Sequence, residues 1–235
     1  MSQRTVEGLD NLQNSIGYHF SDEKLLINAL THSSYAQEQG YSYSANNERL
    51  EFIGDAYLGS VVAKKLYDIM SEVQEGVLSK KRAEVVCERT LAEVARKISL
   101  GEYLLLGKGE DKHSGADKPS ILSDAMEAVI GAIFIDGGFD ECKRVVLDLF
   151  MDKIRLAVKG ELVKDWKSEL QKEIQKKYRE NRLEYVMLEE SGPAHDRNFI
   201  MEVRHNGEPL AKGCGKSKLK AEQAAAEAAL KKGEI

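Results

Sequence analysis

The chain has 235 residues, of which 42% are hydrophobic and 31% are charged. This balance is typical of a folded globular protein and argues against extensive disorder. No apolar run reaches the roughly 20 residues that a membrane helix needs, and the N-terminus lacks the apolar core of a signal peptide. The three cysteines are far apart and lack metal-ligand spacing. We therefore expect a cytoplasmic protein with no membrane partner and no disulfide framework.

The first two thirds of the chain have the spacing of amphipathic helices. Apolar residues recur at three- and four-residue intervals in segments 21–30, 48–69, 76–98, 120–135 and 139–158. Asn46 or Asn47 can cap the second segment, and Gly137 with Gly138 can end the fourth. The polar, glycine-containing stretch 107–118 indicates a loop. With no convincing strand before residue 183, residues 1–158 are predicted to form an all-α domain.

The pattern changes in the last third of the chain. Residues 166–179 suit an amphipathic helix, and residues 217–231 are strongly helical by composition. Between these two helices lie three segments that are rich in β-forming residues and separated by turn signals. We therefore predict a multidomain protein whose second domain, residues 163–233, is a small α+β unit with the order α-β-β-β-α.

Charge is distributed unevenly between the two parts. Residues 1–160 hold 19 Lys and Arg against 25 Asp and Glu, a net charge of −6, whereas residues 161–235 hold 15 against 14, a net charge of +1. Neither part is strongly basic, so contact with a polyanion is predicted to depend on local patches, such as the one formed by Lys216, Lys218 and Lys220.

Two helical segments carry carboxylates in otherwise apolar surroundings. The stretch LEFIGDAYLGSVVA is charged only at Glu51 and Asp55, and the stretch ILSDAMEAVIGAIFI only at Asp124 and Glu127. Both segments are apolar almost all the way round and are expected to be largely buried. Spacings of four and three residues place each pair on one helix face. Because a buried carboxylate is costly unless it is paired or bound to a metal, the pattern predicts a site for Mg²⁺ or Mn²⁺.

Two other interpretations of these carboxylates stay open at this point. An acidic stripe on a helix is most often a solvated face, and Glu48 near a helix N-terminus can simply complement the helix dipole. Di-iron carboxylate bundles also carry inward carboxylates on paired helices, but they typically add Glu-x-x-His motifs. Neither carboxylate-bearing segment contains a histidine, which favours a magnesium site suited to phosphoryl chemistry.

Four sequence motifs resemble those of one known family. The ten residues from Asn47, NERLEFIGDA, closely resemble the signature NERLEFLGDA of the ribonuclease III family and differ from it only at Ile53. Three further stretches are similar to family motifs in the same order: LTHSSY from Leu30, EGVLSKKRA from Glu75 and PSILSDAMEA from Pro119. The resemblance spans nearly the whole chain and implies a helical endonuclease domain.

The resemblance implies roles for the carboxylates at matching positions. Asp55 and Glu127 correspond to the most critical catalytic carboxylates of the family. Glu51, Asp124 and Glu127 correspond to metal ligands. Glu48 matches an acidic position that is assigned to an auxiliary role in substrate handling or at the dimer interface, and the same applies to Glu75.

Two non-acidic positions also match the family. Phe52 corresponds to an aromatic residue that inserts into the partner subunit, which implies a homodimer, although an ordinary core phenylalanine fits the sequence nearly as well. His32 matches a family position, for which a hydrogen-bonded structural histidine is the preferred interpretation.

The C-terminal segment resembles a double-stranded RNA-binding domain. The residues that match family contacts to 2′-hydroxyls, the minor groove and phosphates are Gln171, Gln175, His195, Lys216, Lys218 and Lys220. The usual SKKxA pattern at the start of the last helix reads SKLKA here, so Leu219 replaces a lysine. This difference concerns RNA affinity and not the class of domain.

Taken with the metal site, the resemblance implies a magnesium-dependent, homodimeric endonuclease that cuts double-stranded RNA. It implies products with 5′-phosphate and 3′-hydroxyl ends, and a role in processing ribosomal RNA precursors and messenger RNA. The main alternative is a catalytically inactive regulator that binds double-stranded RNA. Loss of a key carboxylate would mark such a protein, and none is lost here. A second alternative, a hydrolase of small phosphate esters, leaves the RNA-binding domain unexplained.

Overall fold

The computed structural model describes residues 8–112, 114–162, 165–178, 182–193 and 197–232. The chain divides into two compact units, Met1–Val163 and Lys164–Ile235. Within the described ranges, no helix combines the length and the apolar character that crossing a membrane requires.

The first unit is helical, as predicted. Its helices are α1 (Leu9–Ile16), α2 (Glu23–Ala29), α3 (Ser33–Glu38), α4 (Glu48–Ile69), α5 (Glu75–Val85), α6 (Glu88–Lys97), α7 (Lys108–Lys112) and α8 (Pro119–Lys159). Short 3₁₀ turns occur at Tyr43–Ala45, Leu100–Tyr103 and Gly115–Asp117. Among the described residues of this unit, the β-type pairing is limited to one parallel bridge between Thr31 and Leu105.

Helices α4 and α8 form the centre of the first unit. Fully buried side chains such as Leu58 of α4 and Ile130 of α8 belong to one continuous hydrophobic core. The two helices approach backbone to backbone at two glycines. A Cβ atom on Gly54 would collide with the carbonyl of Glu127, and a Cβ atom on Gly131 would collide with the carbonyl of Leu50. These contacts bring α4 and α8 closer together than side chains would allow.

Several helix boundaries differ from the sequence-based prediction. The segment 76–98 is two helices, because the backbone at Cys87 is extended (φ −80°, ψ 154°). Helices α1 and α3 were not predicted, and the presumed loop 107–118 contains the short helix α7. Gly138 interrupts α8 with φ +74° and ψ −170°, a conformation that favours glycine. The predicted break at Gly137 and Gly138 is therefore present as a kink.

The expectation that both carboxylate-bearing helices are largely buried is wrong for α4. Most side chains in the first half of α8 are buried, but Phe52 of α4 is 81% exposed, and Asp55 and Ala56 are exposed as well. One side of α4 therefore faces solvent in the single chain. The apolar residues on that side do not contribute to the core.

The second unit has the predicted order α-β-β-β-α. It consists of α9 (Trp166–Lys177), β1 (Leu183–Ser191), β2 (Asn198–His205), β3 (Glu208–Gly215) and α10 (Lys218–Lys232). The strands form an antiparallel sheet in the order β1-β2-β3. Leu170 of α9, Val203 of β2 and Ala225 of α10 are fully buried in a separate small core.

Candidate active site

Three carboxylates from the two central helices converge at one place. Glu51 of α4 and Asp124 and Glu127 of α8 each offer a ligand oxygen, and these oxygens lie within 4.8 Å of one another. All three residues are half-buried. The backbone contact between Gly54 and Glu127 lies within one turn of each carboxylate. The close approach of the helices therefore brings the three side chains together.

Burial and mutual repulsion make these groups hold protons more tightly than usual. Desolvation, followed by the charges of Asp55, Glu51 and Asp124, raises the pKa of Glu127 to about 8. Desolvation is also the main cause of the raised pKa values of Glu51 and Asp124. Asp124 thus destabilises the charged forms of both Glu51 and Glu127, and Glu51 destabilises that of Glu127. A bound cation would reverse this effect.

The fit of this cluster to a metal can be judged from its donor set. Within the described part of the chain, none of the three carboxylates takes part in an ion pair. Asp124 accepts one long hydrogen bond, 3.3 Å from the hydroxyl of Ser123. An all-oxygen set of three carboxylates without an ion-pair partner among the described residues suits a hard divalent cation. The residues therefore fit Mg²⁺ or Mn²⁺.

The other predicted acidic residues surround this cluster to different degrees. Asp55 is exposed, lies outside the group of three and is the strongest charge acting on Glu127. Glu48 is half-buried at the start of α4, and its charge contributes to the raised pKa of Glu51. Glu75 is exposed at the start of α5, where it accepts a hydrogen bond of 2.6 Å from the Ser79 hydroxyl.

Two residues that the sequence analysis did not place at this site change the pKa of Asp124 through their charge. The charge of Glu88, at the start of α6, raises the pKa of Asp124, and His32 lowers it. Glu88 gave no sequence signal, because its proximity depends on how α6 packs against α8. His32 is half-buried and caps α3, since its Nδ1 accepts a hydrogen bond from the backbone N–H of Ser34.

The raised pKa of Glu127 predicts how stability changes with pH. Between about pH 5 and pH 8 the folded protein holds a proton on Glu127 that the unfolded chain has lost, so this residue destabilises the metal-free fold as pH rises. We expect Glu127→Gln to raise Tm at pH 8 by roughly 2–4 °C, the shift that about 1 kcal/mol produces in a protein of this size. At pH 5 the variant should match the wild type. Thermal unfolding in EDTA measures both values, and equal Tm values at pH 8 would contradict the assignment.

In the second unit, the predicted RNA contacts lie on α9 and around the start of α10. Gln171 is half-buried and Gln175 is exposed on α9. Three lysines around the N-terminus of α10 are exposed: Lys216, Lys218 and Lys220. Leu219 lies among them with 61% of its surface exposed. His195 lies outside the described residues.

Comparisons with known proteins agree with both units. A family model described as Ribonuclease-III-like matches residues 22–154, more than half of the chain, and a model of the double-stranded RNA-binding motif matches residues 166–232. The chain is 46% identical to Ribonuclease 3 of Caldanaerobacter subterraneus subsp. tengcongensis, over 95% of this chain and 97% of the relative. It is 47% identical to Ribonuclease 3 of Syntrophomonas wolfei, over 90% of this chain and 89% of that one.

A solved structure supports the fold of the first unit. The nuclease domain of ribonuclease III from Campylobacter jejuni superposes with a TM-score of 0.57 at 44% identity, covering 61% of this chain and 96% of that one. A helical nuclease unit and an RNA-binding unit on one chain define the class as an endoribonuclease with a double-stranded RNA-binding domain. The chain belongs to the ribonuclease III family.

Proposed function

We propose that this protein is a magnesium-dependent, homodimeric endonuclease that hydrolyses double-stranded RNA to products with 5′-phosphate and 3′-hydroxyl ends. We further propose that it acts in the cytoplasm on ribosomal RNA precursors and messenger RNA. The observation that carries the proposal is the cluster of Glu51, Asp124 and Glu127, whose oxygens lie within 4.8 Å of one another without an ion-pair partner among the described residues.

In this proposal the carboxylates divide into ligands and proton carriers. Glu51, Asp124 and Glu127 would hold the cation. Bound there, Mg²⁺ or Mn²⁺ would favour attack by water on the scissile phosphorus and stabilise the departing 3′-oxygen. Glu127 would give up its proton on cation binding, because the positive charge would offset the desolvation and the repulsion that raise its pKa to about 8. Asp55, exposed beside Glu127, is placed to accept a proton from the attacking water.

Two further acids are proposed as auxiliary residues. Glu48 begins α4 one turn before Glu51, where it adds negative charge at the edge of the cluster. Glu75 is exposed at the start of α5. Neither belongs to the group of three oxygens within 4.8 Å, so we expect their replacement to have a smaller effect than replacement of a ligand.

The second unit is proposed to supply duplex recognition. Gln171 and Gln175 are separated by one turn of α9, so their side chains lie on the same face and can reach 2′-hydroxyls in a minor groove. The exposed Lys216, Lys218 and Lys220 are placed to contact phosphates. By the sequence resemblance, His195 would also contact a minor groove. Such a domain recognises A-form shape over about 16 base pairs with little reading of sequence.

The proposed homodimer is supported by the exposed side of α4. Phe52 is 81% exposed one residue after the ligand Glu51, and a large exposed aromatic side chain is typical of the centre of an interface. The Campylobacter jejuni structure is described as having flexibility in a region involved in dimer formation of its nuclease domain. An interface around residues 47–80 would place one carboxylate cluster opposite each strand of a duplex.

Replacing Phe52 tests this interface directly. We expect Phe52→Glu to shift the protein from dimer to monomer at micromolar concentration, because burying an unpaired charge in an interface costs several kcal/mol. Sedimentation velocity measures the change. Ile135→Glu is the matched control, since Ile135 is also exposed (53%) but lies outside residues 47–80. A Phe52→Glu variant that sediments as the wild type does would contradict the assignment.

The proposed function is tested by incubating the full-length protein with a long RNA duplex, with and without Mg²⁺, and determining the product ends. We expect cleavage only with Mg²⁺, 5′-phosphate and 3′-hydroxyl ends, and no cleavage of single-stranded RNA or of a DNA duplex. Duplex binding without cleavage in saturating Mg²⁺ and Mn²⁺ would identify the alternative, an inactive double-stranded RNA-binding regulator.

The exposure of Leu219 leads to a prediction about salt dependence. Leu219 is 61% exposed at the start of α10, between two proposed phosphate contacts. If its side chain faces the RNA backbone, Leu219→Lys should add one phosphate contact and make the slope of log K against log [salt] steeper by about 0.9. Fluorescence anisotropy across a series of KCl concentrations measures the slope. An unchanged slope and affinity would place position 219 away from the RNA.

A further inference from the structure

We infer that Ser123 is a positioning residue for the proposed metal site: its hydroxyl holds one oxygen of Asp124, so that the other oxygen is left for the cation. The inference rests on the proposed function, because it assigns a role to the neighbour of a proposed metal ligand. Ser123 itself would bind neither the cation nor RNA and would act through the orientation of Asp124.

The Ser123 hydroxyl lies within hydrogen-bond distance of two acceptors. It donates to the carbonyl oxygen of Ser120 at 2.8 Å and to Oδ1 of Asp124 at 3.3 Å. Because a hydroxyl has a single proton, the two acceptors share it, and the shorter contact takes the larger part. The contact with Asp124 therefore restricts that side chain less firmly than a full hydrogen bond would, but it still favours one orientation of the carboxylate.

The Ser120 carbonyl can release this proton at little cost. In a regular α-helix the carbonyl of residue i accepts a hydrogen bond from the N–H of residue i+4, and Ser120 and Asp124 have that spacing within α8. Ser120 therefore keeps its backbone partner when the hydroxyl turns towards Asp124. A charged carboxylate is also the stronger acceptor of the two. The hydroxyl of Ser123 is thus available to orient Asp124 whenever that carboxylate is charged.

Asp124 has no other polar contact of this kind in the part of the chain that the structure describes. There, Ser123 is the one residue that donates a hydrogen bond to this carboxylate, and no ion pair includes it. Metal-binding carboxylates are usually oriented by a hydrogen bond from a neighbouring group. Ser123 is therefore the described residue that is placed to perform this task for Asp124.

The stability of α8 does not require the hydroxyl. Ser123 is 5% exposed, and its neighbours Leu122 and Ala125 are buried as well. Alanine forms helices more readily than serine and has no polar group to bury, so Ser123→Ala should leave the fold unchanged or stabilise it slightly. A role in stability predicts a lower Tm for this variant, whereas a role in positioning predicts weaker metal binding without a loss of Tm.

The experiment compares Ser123→Ala with the wild type in three measurements: Mn²⁺ affinity by calorimetry without RNA, the Mg²⁺ dependence of duplex cleavage, and Tm in EDTA. We expect a Tm equal to or above the wild-type value and a loss of about 10-fold in Mn²⁺ affinity, the lower end of the usual effect of removing a group that orients a metal ligand. The Mg²⁺ concentration for half-maximal cleavage should rise by the same factor. The rate in saturating Mg²⁺ should stay within about twofold of the wild type, because excess metal restores binding that was lost before the chemical step.

Ser15→Ala is the matched control. Ser15 lies in α1, and its exposed hydroxyl donates to the Asn11 carbonyl at 3.0 Å, so this variant removes a similar helix contact outside the carboxylate cluster. It should change neither Mn²⁺ affinity nor cleavage. A Ser123→Ala variant with wild-type Mn²⁺ affinity overturns the inference, and so does a loss of affinity that accompanies a lower Tm. Failure of the proposed function would look different, because the wild type would then bind Mn²⁺ with Ser123-dependent affinity and yet cut no duplex.

Discussion

Glu127→Gln is expected to abolish cleavage of double-stranded RNA while leaving duplex binding largely intact. Glutamine is nearly isosteric with glutamate but is a poor ligand for a hard cation, and Glu127 lies within 4.8 Å of the two other proposed ligands. The cleavage rate in saturating Mg²⁺ should fall by at least about 10³-fold, since loss of a single contact to developing charge already costs about 10²- to 10³-fold. Single-turnover cleavage and a gel-shift assay measure the two quantities.

The matched control is Glu102→Gln, which removes an exposed carboxylate outside the cluster and should cleave at the wild-type rate. Glu127→Gln should also lose Mn²⁺ affinity in the absence of RNA. A Glu127→Gln protein that cuts at the wild-type rate would show that the cluster is not the catalytic site.

Removal of residues 161–235 is expected to weaken RNA binding far more than it slows the chemical step. The remaining segment has a net charge of −6 and should be repelled by RNA, except where a cation neutralises its carboxylates. Loss of the proposed phosphate contacts should reduce duplex affinity by on the order of 10²-fold or more at about 0.15 M salt. Magnesium-dependent cutting should therefore persist only at low salt and high enzyme concentration.

Substitution of Lys216, Lys218 and Lys220 by Ala in the full-length protein distinguishes loss of these contacts from loss of the whole domain. The salt slope should become shallower by up to about three units if each lysine contacts one phosphate. A truncated protein that binds duplex as tightly as the full chain at the same salt concentration would contradict a binding role for the second unit.

Much of the fold could be predicted because local patterns agreed with the tertiary structure. Segment 48–69 coincides with α4, and the two helices that flank the sheet of the second unit lie within a few residues of the predicted segments 166–179 and 217–231. Helical spacing in an apolar background predicted one cation site for Glu51, Asp55, Asp124 and Glu127. Only the family resemblance singled out Glu51, Asp124 and Glu127 as the ligands. The structure brings their oxygens together.

The remaining features depend on tertiary contacts that the sequence does not reveal. Helix α3 (Ser33–Glu38) has six residues, and its N-cap is His32, which is not a common N-cap residue. The break between helices α5 and α6 at Cys87 could not be predicted, because Cys87 is neither glycine nor proline. Glu88 acts on Asp124 from a different helix, and no spacing along the chain encodes that proximity. The exposure of one side of α4 could not be predicted, because an apolar residue such as Phe52 is as common in a buried core as in an interface between subunits.

The close backbone contacts at Gly54 and Gly131 affect which amino-acid substitutions the core of the nuclease unit can accept. Because main chain meets main chain at both glycines, the distance between the carboxylate-bearing helices α4 and α8 is set there by backbone contact and not by the size of nearby apolar side chains. Substitutions such as Leu for Met or Ile in the surrounding core can therefore accumulate over evolution at a cost below about 1.5 kcal/mol each, and the spacing of the carboxylates is preserved. A methyl group added at either glycine would push α4 and α8 apart. The chain could then stay folded while the carboxylates on the two helices would be too far apart to bind one cation.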